Sequence, residues 1–162
     1  MTTIAVDLDH GTIAADSQET CDDGQKTHCK KLFEVNGHVI ATAGGSYAGL
    51  LFVEWFDQWV EEPDWTERPD LLNLDLAEDF ECLVVRPNGT CYTVNRLFVP
   101  YEQTNERQLA IGSGGKAARA AMMAGCTPGH AVEIASRIDA YTGGPIVVIR
   151  IPTPEAPRPE DV

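Results

Sequence analysis

From the second residue onward, apolar side chains alternate with small or acidic ones. Ile4, Val6 and Leu8 fall on one side, and Ala5, Asp7 and Asp9 fall on the other. That alternation predicts a β-strand with one face buried. His10-Gly11 turns the chain, and Thr12–Ser17 returns it as a second strand. The polar stretch from Glu19 to His28 predicts no element of its own. Lys30–Val35 and His38–Ala43 then flank Asn36-Gly37, a dipeptide whose residues suit the positive-φ positions of a tight hairpin turn.

The period changes after Gly45. Tyr47, Leu51, Trp55 and Trp59 recur every four residues, with Phe52 and Phe56 beside them and Glu54, Asp57 and Gln58 opposite. This predicts an amphipathic helix, with Ser46 as its N-cap. The acidic segment that follows carries two prolines, which permit at most a short helix after Pro69. Two more strands flank Asn88-Gly89. If that turn has two residues, Cys91 faces Arg86 and Cys82 faces Asn95. Gln108–Gly115 runs into an alanine-rich helix whose small side chains allow another layer to approach closely. Thr127-Pro128 opens a further helix, with threonine as cap and proline at the first position. Val132, Ala135 and Ile138 would face inward. Pro145–Ile151 is a last strand.

Strands, helix, strands, two helices and strand is an order that suggests α+β layers rather than alternating βαβ units. A four-layer αββα sandwich of two antiparallel sheets fits it. One domain over residues 2–151 is expected, followed by a flexible acidic, proline-rich tail at residues 152–162.

Charge and composition narrow the function classes. A net charge of −13 argues against a nucleic-acid partner, whose phosphates would be repelled. No apolar run is long enough to cross a bilayer, and the start lacks the basic and apolar regions of a signal peptide. The five cysteines contain no CxxC pair, so neither a zinc site nor a redox pair is signalled. A reducing cytoplasm is the simpler reading. Asn88-Gly89-Thr90 matches a glycosylation acceptor, but a hairpin turn explains it better.

Thr2 is the first candidate for chemistry. A threonine hydroxyl is a weak nucleophile and needs a base. If Met1 is trimmed, the α-amine of Thr2 can serve, since such amines titrate near ~7.7–8.0. A Met-Thr start alone says nothing of catalysis, because threonine is also a good strand former. Three further features are needed: a cation near the hydroxyl, an anion to hold the cation, and a backbone N–H for the oxyanion. Lys30-Lys31, Asp16 and Ala43-Gly44-Gly45 are of the right types. Each also has an ordinary explanation, as solvated lysines, a cap and a turn.

Taken together, these residues resemble the proteasome β-subunit family, including HslV, among the N-terminal-nucleophile hydrolases. TTIAV resembles the mature start, HGTIAADSQET the second-strand signature, KKLFEV and ATAGGS the lysine strand and glycine turn, AIGSGGKAA the loop and helix start of the second half, and DAYTGG the end of the last long helix. The five motifs occur in order over residues 2–151. The compactness of the chain resembles the minimal proteasome-like proteins of phages and prophages.

The resemblance implies roles. Thr2 is the nucleophile, with its amine as base directly or through water. Lys31 lies beside the threonine oxygen, Asp16 orients Lys31, and Gly44 supplies the oxyanion-hole N–H. Ser113 and Asp139 complete the network around the amine, and Thr142 supports it. Glu19, Cys29, Phe33, Thr42 and Ser46 line the substrate pocket, where Glu19 would favour basic residues. No cofactor is required; a structural sodium ion on the carbonyls of Ser136, Asp139 and Thr142 is optional. The implied activity is that of a threonine peptidase on peptides or unfolded proteins, inside a closed homo-oligomeric ring of hexamers or heptamers, with or without an ATPase regulator. The proline-broken segment departs from the family's second long helix, where such a regulator commonly docks. The alternatives are a catalytically silent ring subunit or interaction module, and an N-terminal-nucleophile amidohydrolase acting on a small amide.

Overall fold

A computed structural model describes residues 1–69 and 79–151. The short helix expected after Pro69 and the acidic tail lie outside these residues. The first sheet is built from β1 (Thr3–Asp7), β2 (Thr12–Ala15), β10 (Gln108–Gly112) and β11 (Val147–Arg150), in the order β10-β1-β2-β11. The second contains β5 (Leu32–Val35), β6 (His38–Ala43), β7 (Glu81–Val85), β8 (Cys91–Asn95) and β9 (Pro100–Glu102), in sequential order. All pairings are antiparallel. A small ribbon of β3 (Gln18–Thr20) and β4 (Lys26–His28) stands apart.

Three apolar clusters separate four layers. Ile4, Val6 and Ile13 of the first sheet, with Leu8 just beyond β1, pack against Leu32, Val39, Leu83 and Val85 of the second. Behind the second sheet, α1 (Ser46–Phe56) places Phe52, Trp55 and Phe56 against Ile40, Val84 and Tyr92. Behind the first, α2 (Gly115–Met123) and α3 (Pro128–Ser136) cover Ala5 and Ala14 with Ala118, Met122, Ala131 and Val132. Each large aliphatic or aromatic side chain so buried contributes about 1.5–3 kcal/mol. The αββα sandwich read from the sequence is the observed architecture.

Several local expectations fail for identifiable reasons. β1 is buried on both faces rather than one, because α2 and α3 cover the alanine side. The helix predicted past Trp59 stops at Phe56, and its N-cap is Gly45, not Ser46. Tyr47, expected on the apolar stripe, is exposed; Ala48 and Gly49 are buried there instead. Ile138 is exposed because α3 ends two residues earlier. Cys91 pairs with Val85, and Cys82 pairs with Val94. The turn is a three-residue loop with Gly89 at φ 77°, closed by the Arg86 N–H to the Thr90 carbonyl, so the register shifts by one residue. The two thiols still do not meet, since they lie in different core clusters. By contrast, Asn36 and Gly37 take φ 48° and 78° and close the expected tight turn. Thr127 caps α3 with Pro128 behind it, as predicted. The β3–β4 ribbon and β9 carried no alternating pattern, and their sequences did not announce them.

Candidate active site

Strand register gathers the candidate residues at one end of the sandwich. Thr3 pairs with Gly112, so Ser113 lies beside Thr2. Ile4 pairs with Ala15, so Asp16 follows directly, its N–H donating to the Thr3 carbonyl at 3.1 Å. Leu32 pairs with Ala41, which sets Lys31 next to Thr42.

Lys31 and Asp16 form a buried ion pair at 2.9 Å, with side chains 5% and 0% exposed. Asp16 accepts four hydrogen bonds. The Lys31 ammonium and the Thr3 N–H reach Oδ1, and the N–H groups of Gln18 and Gly143 reach Oδ2. Those four donors fill the acceptor sites of the carboxylate, which is what allows a charge to be buried there. The ammonium uses its three protons on Asp16, on the Gln18 carbonyl at 2.6 Å and on the Met1 carbonyl at 3.3 Å. The last contact sits one peptide bond from Thr2, which is itself 2% exposed beneath the half-exposed Met1.

A second network flanks the same strand end. Asp139 Oδ2 accepts from Ser113 Oγ at 2.5 Å and from Thr142 Oγ1 at 2.6 Å. The Tyr141 N–H donates to the other oxygen. Burial alone would push the Asp139 carboxyl up. The hydrogen bonds from Ser113, Thr142 and the Tyr141 N–H outweigh it and hold the group below its ordinary range. Ser113 Oγ also lies 3.4 Å from the Thr2 carbonyl oxygen.

Gly44 sits at φ 92°, and a Cβ there would overlap the Asp79 carbonyl, so glycine is required on both counts. It borders three adjoining cavities. One of about 240 Å³ is lined by Thr2, Lys31, Cys29, Phe33, Thr42 and Ser46, among others. A second of about 200 Å³ holds Thr2, Ser113, Asp79 and Glu81. The third, an open cleft of about 780 Å³, is bordered by Met1, Glu19, Asp22 and Tyr141. Glu19 therefore lies in the cleft rather than in the pocket with the other four expected residues, and it accepts a hydrogen bond from Ser46 Oγ. Burial raises the Cys29 thiol even though Lys31 opposes it, which disfavours its thiolate.

At the turn holding Ser136, Asp139 and Thr142, the Asp139 carbonyl already accepts the Thr142 N–H at 3.2 Å.

No protein-family model matches the chain, and no curated protein matches it. Solved structures do. Thiobacillus denitrificans BPH superposes with a TM-score of 0.73 at 19% identity, covering 96% of this chain and 100% of that one. BPH in complex with epoxomicin gives 0.72 at 18%, covering 93% and 99%. Eukaryotic HslV from Trypanosoma brucei gives 0.69 at 22%, again covering 93% and 99%.

The chain has the HslV fold.

Within the HslV fold, the six residues expected to act together do converge on one strand end. The sequence did not point to Gln18 and Gly143, which serve through main-chain atoms. Nor did it point to Leu50, which lines the small pocket from α1. Leu50 stands on the exposed side of an amphipathic helix, a position that ordinarily needs no explanation.

Proposed function

We propose that the chain is a threonine-type endopeptidase whose nucleophile is Thr2 after removal of Met1. The observation that carries this reading is the third proton of Lys31. Two are committed to Asp16 and Gln18, and the remaining one is spent on the Met1 carbonyl. Loss of Met1 removes that acceptor and leaves an ammonium proton beside the new N-terminus.

The chemistry follows from these groups. The Thr2 α-amine takes the hydroxyl proton, directly or through water, and Oγ1 attacks a peptide carbonyl. Lys31 stabilises the developing oxygen anion on Thr2, and the Gly44 N–H serves the oxyanion of the tetrahedral intermediate. The ammonium of Thr2 protonates the leaving amine. Water then hydrolyses the threonine ester and frees the enzyme. Ser113, with its proton directed to Asp139, keeps oxygen lone pairs to accept from the α-amine.

The extended, open cleft beside the small pocket supports a peptide rather than a small amide as substrate. The carboxylates of Glu19, Asp22 and Asp79 on its walls would favour basic side chains. Exposed Met123 and Ile138 on the α2–α3 layer support assembly into a ring of copies, hexameric or heptameric. Five free cysteines suit a reducing cytoplasm. A sodium ion on the Ser136–Thr142 turn would be structural, and an ATPase regulator would be a partner of the ring.

The test is hydrolysis of fluorogenic peptides with basic and neutral P1 residues by the wild type and by Thr2→Ala. A loss of at least about 10³-fold is expected for the variant. Equal turnover in both would remove Thr2 from the mechanism. No turnover by a wild type that retains Met1 would leave a silent ring subunit.

A further inference from the structure

Thr3 has no assigned role, and its strand position would be served equally well by valine. Its surroundings are nevertheless built for a hydroxyl. Thr3 is fully buried, and its Oγ1 lies 2.6 Å from Thr142 Oγ1. The Thr142 hydroxyl spends its single proton on Asp139, a carboxylate that can only accept. Thr3 must therefore be the donor to Thr142. The protons then run one way, from Thr3 to Thr142 to Asp139, with Ser113 donating to the same carboxylate oxygen from the other side.

Gly114 gives an independent observation. A Cβ at this position would overlap Thr3 Oγ1 and come within 3.0 Å of Thr142 Oγ1. Its φ of −86° is open to any residue, so glycine is required here for space and not for backbone freedom. The Ser113-Gly114-Gly115 segment leaves a gap that the hydroxyl pair fills. Meanwhile the Thr3 N–H donates to Asp16 Oδ1, the same oxygen that holds Lys31. One residue thus joins the lysine network through its backbone to the Asp139 network through its side chain.

We infer that Thr3 is a positioning residue of the site, its hydroxyl fixing Thr142 so that Asp139 and Ser113 are held against the N-terminus. The inference rests on the reading of Thr2 as nucleophile. Hydrogen bonds that run in one direction strengthen one another, so removing the first donor loosens the whole chain.

The test compares the wild type with Thr3→Val, which keeps shape and β-branching, and Thr3→Ser, which keeps the hydroxyl. Thr3→Ala replaces Thr3→Val if the latter does not fold. Thr3→Val should lower kcat about tenfold with KM and melting temperature near those of the wild type, and Thr3→Ser should restore most of the rate. Equal kcat in Thr3→Val and the wild type overturns the positioning role and leaves Thr2 untouched. So do parallel losses of rate and melting temperature in both variants. If the wild type itself turns over no peptide, the reading of Thr2 fails, and crystal structures of wild type and Thr3→Val decide the positioning claim alone. Separation of Ser113 from Asp139 in the variant supports it, and an unmoved pair overturns it.

Discussion

Two charge clusters stand at opposite ends of β6, and they are built differently. Near Thr42, Lys31 and Asp16 are almost wholly buried, and every proton and lone pair has a named partner. Near Val39, Arg86 bridges Glu62 and Glu102 at 2.7 and 2.5 Å, with carboxylates 39% and 53% exposed, and stacks on the Tyr92 ring at 4.4 Å. The partly exposed cluster ties the β7–β8 hairpin to β9 and to the chain beyond α1, and water reaches its carboxylates. Water is kept from the buried pair. A charge held away from solvent keeps its field and its geometry, which a developing oxyanion can use. Ion-pair distance therefore says little about function, whereas burial with complete satisfaction says more.

Removing the cation from the buried cluster should have the largest effect. Lys31→Ala strands Asp16 in the core, at a cost of about 3–5 kcal/mol in urea unfolding, with peptide turnover lost. Retention of turnover would mean that the pair is only structural. Gly44→Ala comes next. Its positive φ and the overlap with Asp79 should cost about 1–3 kcal/mol, and kcat should fall as the nearby N–H is displaced. A variant with normal kcat would exclude Gly44 from the oxyanion site.

The Asp139 carboxyl gives a pH signature. Its folded value lies below the ordinary 3.8, so the stability it contributes is present above that value and is lost as pH falls through the folded one. Acid unfolding of wild type should therefore steepen in that low window relative to Asp139→Asn. Superimposable acid curves would contradict the hydrogen bonds assigned to it. The smallest effect belongs to the surface cluster. Arg86→Ala should cost about 1 kcal/mol, less at high salt, with turnover unchanged. A large loss of turnover there would erase the contrast between the two ends of β6.

The parts of the fold legible in the sequence were those set by local chemistry. Asn36-Gly37 fixed its own turn, and Thr127-Pro128 fixed a helix start. The Asn88-Gly89 loop has the same dipeptide, but Pro87 before it has no N–H to close a two-residue turn and suits the first corner of a longer one, so the loop takes one more residue. Ser46 looked like a cap, but its hydroxyl is drawn to Glu19 across the cleft. Ile138 matched the helical period and fell beyond the helix end. In the site, Thr2, Asp16, Lys31, Gly44, Ser113 and Asp139 were reached by resemblance, because each alone has an ordinary explanation. Gln18, Gly143 and Thr3 were not reached. The first two act through backbone atoms that any residue carries, and the third passes for a strand former until Gly114 is seen to make room for its hydroxyl.

The proposed mechanism stands on a free N-terminal threonine as the reacting group. Epoxomicin, the compound bound in one solved structure of the same fold, serves as the probe. The decisive measurement is the intact mass of the natively expressed chain before and after incubation with epoxomicin, with the adduct mapped by peptide sequencing. The expected result is a chain lacking Met1 that gains one inhibitor on Thr2. A chain that has lost Met1 and still forms no adduct on Thr2 would contradict it.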